Sequence, residues 1–403
     1  MVDEIMTLIS LGLAGLAGLL SIPVLVLLVE VVASLKGAKV EAGNRFRFAN
    51  RPRVAVIVPA HDESGGIIPT ISDIKSQLSS NDRLIVVADN CTDDTAAVAE
   101  SAGAEVIARN DLEKIGKGYA LGWGISHLRK DPPDFVVVFD ADCRIQSDAL
   151  ERLTDICGKL QRPVQACFLM RSPDNSPIDH RFAEFAFLLR NWIRPFGLSN
   201  LNCPVQLMGT GMIFPWMTIR DAPLASGHLV EDLKLGLDLA ALGKAPHFYP
   251  FVRVTSEFPK TTKGTESQRQ RWAQGHIGMT LKSSPRLLLQ SIASRNLDLM
   301  VLTLDLLIPP LTLLAFLVVA FFVLNSAITM VGGSVVGLLI ATTNLFLFSA
   351  TIFLAWIRFG RGMLPGHALL SIGPLLLQRI RLYAKMLLGH TVSRWVRTDR
   401  GDR

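Results

Sequence analysis

The sequence predicts an α/β domain built around a parallel sheet with helices on both faces, joined to apolar helices long enough to cross a bilayer. Two observations carry this expectation. Between about residues 53 and 170, short runs of β-formers alternate with helical patterns, as βαβ units do. Outside that middle region the apolar residues gather at the two ends. They raise the hydrophobic share to 49% and the mean hydropathy to +0.35, too apolar for a wholly soluble chain. At 403 residues there is room for two or three domains.

In chain order, residues 7 to 35 are nearly uncharged, and Leu8 through Leu28 carry no charge at all, enough to span a bilayer. A cleaved signal peptide fits poorly, because the start is acidic (Asp3, Glu4) and the apolar run is too long. Lys36, Lys39, Arg45, Arg47, Arg51 and Arg53 follow, so the positive-inside tendency turns the N-terminus outward and the middle domain to the cytoplasm. Strands are expected at Val54 to Val58, Leu84 to Ala88, Glu105 to Ala108 and Phe135 to Phe139, with helices at Ile67 to Leu78, from Thr95 to about Ala102, and at Lys117 to Leu128. Val136-Val137-Val138-Phe139-Asp140-Ala141-Asp142 is the stretch that organises the rest: a strand apolar on both faces that ends in two carboxylates. Open α/β sheets place ligands at that end, and two carboxylates there can hold a divalent cation. Taken alone, the pair could equally solvate a loop or cap the next helix.

Around 179 to 196 an amphipathic helix is expected, with Phe182, Phe185, Leu189, Trp192 and Phe196 on one stripe, packed on the domain core or lying on a membrane surface. Met208-Gly209-Thr210-Gly211-Met212 places glycines where a ligand or another backbone comes close. Val230-Glu231-Asp232 opens a helix to about Leu242, where acids suit the helix dipole. A polar loop, 257 to 266, leads into a helix that puts Gln268, Arg271 and Trp272 on one face. Two further spans are expected at about 297 to 324, kinked at Pro309-Pro310, and 334 to 357. The 366 to 389 stretch, with Arg379, Arg381 and Lys385, reads as interfacial or re-entrant, and the basic tail stays inside.

Several classes drop out. The net charge of +6 comes from basic residues that flank the apolar spans, which suits an anionic membrane face better than nucleic acid. Cys91, Cys143, Cys157, Cys167 and Cys203 are odd in number and form no Cys-x-x-Cys, against a disulfide framework or zinc site. No Gly-x-Gly-x-x-Gly follows the first strand, so a dinucleotide fingerprint is absent.

Five features remain in a fixed order: Pro59-Ala60-His61-Asp62-Glu63, Asp89 within Ala-Asp-Asn-Cys-Thr-Asp-Asp-Thr, Asp140-Ala141-Asp142, Glu231-Asp232, and Gln268-x-x-Arg271-Trp272. Over about 50 to 280 this order resembles the membrane-embedded family-2 glycosyltransferases, the group of cellulose, chitin, hyaluronan and poly-N-acetylglucosamine synthases. The resemblance implies a GT-A, nucleotide-diphosphosugar domain. It implies that Ala60, Glu63, Asp89 and Lys117 line the nucleotide pocket and that Asp140 meets ribose or metal. It further implies that Asp142 ligates Mg²⁺ or Mn²⁺, that Asp232 is the general base, and that Gln268, Arg271 and Trp272 hold the pyrophosphate and border the acceptor. The implied reaction is inverting transfer from a nucleotide-diphosphate sugar, UDP-linked, to a growing β-linked glycan in surface-polysaccharide synthesis. Single addition to a polyprenyl-diphosphate-linked oligosaccharide or another lipid acceptor is the alternative, and a non-catalytic nucleotide-sugar-binding scaffold a minor one. The implied organisation is a transmembrane helix over 1–38, a cytoplasmic catalytic domain with interfacial helices over 39–290, and a C-terminal membrane region over 291–403, in a bacterial-type inner membrane.

Overall fold

A computed structural model describes residues 2–37, 48, 50–173, 178–259, 262–371 and 373. The first helix, α1 (Val2–Ser34), is followed by β1 (Val54–Ala60), α2 (Ile67–Lys75), β2 (Arg83–Asp89), α3 (Thr95–Ser101), β3 (Glu105–Arg109), α4 (Lys117–Leu128) and β4 (Phe135–Val138). Each of these elements was expected from local pattern, and α4 has the expected bounds. β4 is buried at every position, as its unbroken apolar run requires.

Beyond β4 come β5 (Arg144–Ile145), α5 (Ala149–Leu160), β6 (Val164–Arg171), α6 (Ile178–Leu188), a π turn (Leu189–Ile193), α7 (Arg194–Asn200), β7 (Met212–Pro215), α8 (Trp216–Ile219), α9 (Glu231–Ala241) and β8 (His247–Glu257). The sheet order is β3-β2-β1-β4-β7-β6-β8-β5. β1, β2, β3 and β4 are parallel, whereas β7 runs antiparallel to β4 and β6, and β5 antiparallel to β8. The sheet is therefore mixed rather than parallel throughout, a correction of the expectation. Helices α2, α3 and α5 bury Ile67, Ile71, Ala99, Leu150 and Leu153 on one face. Helices α4 and α9 bury Leu121, Ile125, Leu235 and Leu239 on the other.

The chain continues with α10 (Thr262–Ala293), α11 (Leu297–Leu306), α12 (Leu311–Met330) and α13 (Val335–Ala355), then a second π turn (Trp356–Gly360) and a 3₁₀ turn (Gly366–Ser371). Helices α1, α12 and the α13 region are long and apolar enough to cross a membrane. Three corrections follow. The expected span at 297–324 is two helices, because Pro309 and Pro310 end α11 instead of kinking one continuous helix. The link after α12 shrinks to residues 331–334, since α12 runs on to Met330. The expected polar loop at 257–266 is likewise shorter, with β8 ending at Glu257 and α10 starting at Thr262. Of the 366–389 reading only the 3₁₀ turn is described; residues 374–403, with the basic tail, lie outside the described residues.

The expected helix at 179–196 is broken into α6, the π turn and α7. Phe185, Leu188, Leu189 and Ile193 pack with Leu20, Val24, Leu27 and Val31 of α1, so this face covers the apolar spans. Gly197 makes the approach possible, because a Cβ there would lie 1.9 Å from the Glu30 carbonyl oxygen. Arg194 seals the seam with Glu30 of α1 at 2.7 Å and Asp305 of α11 at 2.5 Å. The sheet domain and the apolar helices are thereby locked together under one end of the sheet.

Candidate active site

Parallel β1, β2 and β4 deliver their last residues to the same edge of the sheet, and the loops that follow carry the charges. Ala60 ends β1, Asp89 ends β2, and Asp140 and Asp142 follow β4. Helix α4 starts at Lys117, α9 brings Asp232 in its first turn, and α10 crosses with Gln268, Arg271 and Trp272. Ala60, Glu63, Asp89, Lys117, Asp140, Asp142, Asp232, Gln268, Arg271 and Trp272 all line one cleft.

Lys117 stands at its centre. Its ammonium pairs with Asp140 and donates to the Gly209 carbonyl at 2.7 Å. Burial pulls its pKa down, but the carboxylates of Asp140, Glu231 and Asp232 more than offset this and hold it above the usual lysine value. The Asp140 backbone N–H donates to Thr210 Oγ1 at 3.0 Å, and Ser256 Oγ donates to Asp142 Oδ2 at 2.7 Å. Ligand atoms of Asp140, Asp142 and Cys143 lie within 4.8 Å of one another. Burial first, then the neighbouring Asp142 and Asp140, pushes the Cys143 thiol well up. Two carboxylates, one oriented by a hydroxyl, are a hard-oxygen donor set that fits Mg²⁺ or Mn²⁺.

Asp232 and Glu231 sit side by side at the start of α9. Burial, above all, raises the Asp232 pKa. Burial and then the Asp232 charge raise that of Glu231 to about 7. Gln268 is buried, and its Oε1 has no hydrogen-bond partner among the described residues. Trp272 packs at 5.9 Å, centroid to centroid, on Phe187, which also meets Phe168 and Phe258.

The structure adds partners that local pattern did not reveal. Asp89 is held by Arg109 at 2.6 Å in a buried pair, and its carbonyl oxygen lies 2.7 Å from His61 Nδ1. Arg109 ends β3, twenty residues from Asp89, and only the parallel pairing of β2 with β3 brings the two together. Ser256, Arg190, Gln206 and His276 also line the cleft or hold a residue that does, and no motif marks them. Gly209 has φ +88, and a Cβ there would sit 3.3 Å from Lys117 Nζ and 3.4 Å from Asp232 Oδ2. Gly209→Ala is therefore expected to cost about 1–3 kcal/mol in backbone strain and to press on both charged groups. Transfer rate and thermal midpoint measured side by side check this, with the rate falling by more than the stability loss accounts for.

Residues 52–275 match the family model described as glycosyltransferase like family 2. "Probable glycosyltransferase YdaM" of Bacillus subtilis is 25% identical over 250 residues, 57% of each chain. "Probable glucomannan 4-beta-mannosyltransferase 4" of Oryza sativa is 24% identical over 255 residues, 57% of this chain and 44% of that one. The chain thus spans less than two-thirds of the length of these curated relatives. A mannosyltransferase from Pyrobaculum calidifontis, solved with GDP-Man and Mn²⁺, superimposes with a TM-score of 0.53 at 17% identity. That overlap covers 88% of this chain and 98% of the other, a likeness of fold.

Proposed function

Because the chain belongs to glycosyltransferase-like family 2, with the GT-A fold, we propose that it is an inverting hexosyltransferase that takes a sugar from a nucleotide-diphosphate donor, UDP-linked, and adds it to a growing β-linked glycan of the cell surface. One observation carries the reading: the paired carboxylates, the acid in the first turn of α9 and the Gln-x-x-Arg-Trp face converge on one cleft at the carboxyl ends of parallel strands. Ala60, Glu63, Asp89 and Lys117 hold the nucleotide side. Asp142, with Asp140, holds Mg²⁺ or Mn²⁺, which when bound neutralises charge on the leaving diphosphate. Gln268 and Arg271 hold diphosphate oxygens, and Trp272 borders the acceptor. Asp232 takes the proton of the acceptor hydroxyl as its oxygen attacks the anomeric carbon and the bond to the diphosphate breaks. A single displacement inverts that centre, so an α-linked donor yields a β-linkage.

The apolar helices support placement as a multi-pass protein of a bacterial-type inner membrane, with residues 39–290 as the cytoplasmic catalytic domain between membrane segments 1–38 and 291–403. A second acceptor, a polyprenyl-diphosphate-linked oligosaccharide or other lipid receiving one sugar, is favoured by the seam that sets the cleft lining, through Arg194, directly on α1. The purified chain in detergent, offered UDP- and GDP-sugars with Mn²⁺ and then with EDTA, should release nucleoside diphosphate from one donor in a metal-dependent way. Release from none of them sinks the reading, and a product ladder separates elongation from single addition.

A further inference from the structure

The cleft lining includes a cation, Arg190, with no hydrogen-bond or ion-pair partner among the described residues. Arg190 sits on the π turn Leu189–Ile193, a geometry that often marks functional sites, and it lines the cleft. Arg194, four residues on, is saturated by Glu30 and Asp305. Arg190 makes no hydrogen bond or ion pair among the described residues. The charges that reach it are those of Asp232, Arg194 and Asp305, and Asp305 is already taken up by Arg194. Burial, first of all, draws its pKa below the usual arginine value, yet a guanidinium keeps its proton in a protein. Arg190 is half-buried, and a guanidinium in such a place gains from an anion that meets it.

That anion is not accounted for by the donor. The donor diphosphate belongs with Asp142, Gln268 and Arg271, whereas Arg190 shares its surroundings with Asp232 and His276. His276 is kept neutral by burial, its pKa lowered to about 3, and its Nε2–H donates to the Ile308 carbonyl at 2.9 Å, so it adds no charge. Gln206, on the same side of the cleft, has a buried Oε1 with no partner among the described residues, a place for a hydroxyl donor. The planar fork of an arginine matches phosphate and carboxylate.

We propose that the acceptor is an anion: a phosphate or carboxylate on it is gripped by Arg190 while its hydroxyl is presented to Asp232. This rests on the transferase reading and goes beyond it by assigning the acceptor's charge and the residue that selects for it.

The test uses the full chain in detergent with two readouts. Equilibrium dialysis with radiolabelled orthophosphate should show saturable binding that falls at least about tenfold in R190Q and returns in part in R190K, which keeps the charge but not the planar fork. Transfer is then compared for a polyprenyl-diphosphate-linked sugar in phosphatidylcholine vesicles, a soluble sugar phosphate and a neutral oligosaccharide. A phosphorylated acceptor should be preferred, and R190Q should cut that preference by about 10- to 100-fold, with R190K restoring part of it. Preference for the vesicle arm identifies a lipid source, and preference for the soluble arm a free one. Equal use of the neutral acceptor, with R190Q slowing all three alike, overturns the proposal and leaves Arg190 as a charge that only tunes Asp232. Arg190-dependent phosphate binding without turnover of any donor supports the anion site and sinks the transferase reading instead.

Discussion

Asp232→Asn should lower the rate of sugar transfer by about 10²–10⁴-fold, the usual contribution of a positioned general base. The change keeps the shape of the side chain, its place in the first turn of α9 and its hydrogen-bonding capacity toward the Leu233 N–H, which donates to Asp232 Oδ1 at 2.8 Å. Only proton acceptance is removed. The loss should fall on kcat, with donor binding measured by calorimetry nearly intact; a rate within a few-fold of the parent would remove Asp232 from the role. The pH profile gives a second check. Burial raises the Asp232 pKa, and burial with the Asp232 charge pushes that of Glu231 up to about 7. As the proposed base, Asp232 works ionised, so the rate should rise with pH as the coupled pair loses its protons, the upper step near neutrality. Glu231→Gln should erase that upper step, because it takes away the second acid, and should leave the lower one. An unchanged step near neutrality would mean that it comes from elsewhere.

Asp142→Ala should be comparably damaging, on the order of 10³-fold, because several kcal/mol of leaving-group stabilisation goes with the cation. The choice between the two acids is structural: Asp140 is paired with Lys117, while Asp142 is oriented by the Ser256 hydroxyl. Activity titrated against Mn²⁺ reads the effect. The midpoint should move far beyond the parent's in Asp142→Ala and by about 10–100-fold in Ser256→Ala, as for an outer partner of a metal ligand. Equal metal dependence in parent and Asp142→Ala would exclude Asp142 as a ligand.

Much of the sheet was legible because buried parallel strands announce themselves by unbroken apolar runs. Val54–Ala60 and Phe135–Val138 are such runs, and each ends where polar residues begin. The strands beyond β4 were not legible in the same way. β8 carries Pro250 and alternates irregularly, and its pairing with β6 shifts register between Ala166 and Cys167. The antiparallel β7 is four residues long and follows glycines that interrupt its apolar run. The proline pair at 309 and 310 was visible as an interruption, but whether it bends one helix or ends it depends on what packs on each side. Here α11 packs with α9 and α10, and α12 with the spans.

The site divides along the same line. Sequence motifs singled out the acids and the Gln-x-x-Arg-Trp face, the resemblance supplied their implied roles, and the fold brings these residues to one cleft. Which charge meets which was settled only by tertiary packing. Asp89 has Arg109 because β2 and β3 are neighbours, and Asp140 has Lys117 because α4 begins above β4. Arg194 is consumed by α1 and α11, while Arg190, on the same stretch of chain, is left facing the cleft. Apolar periodicity is a property of neighbours in sequence, so it survives in a one-dimensional reading. A Coulomb partner is a property of neighbours in space, here 164 residues away for Arg194 and Glu30, and it exists only once the chain has closed on itself.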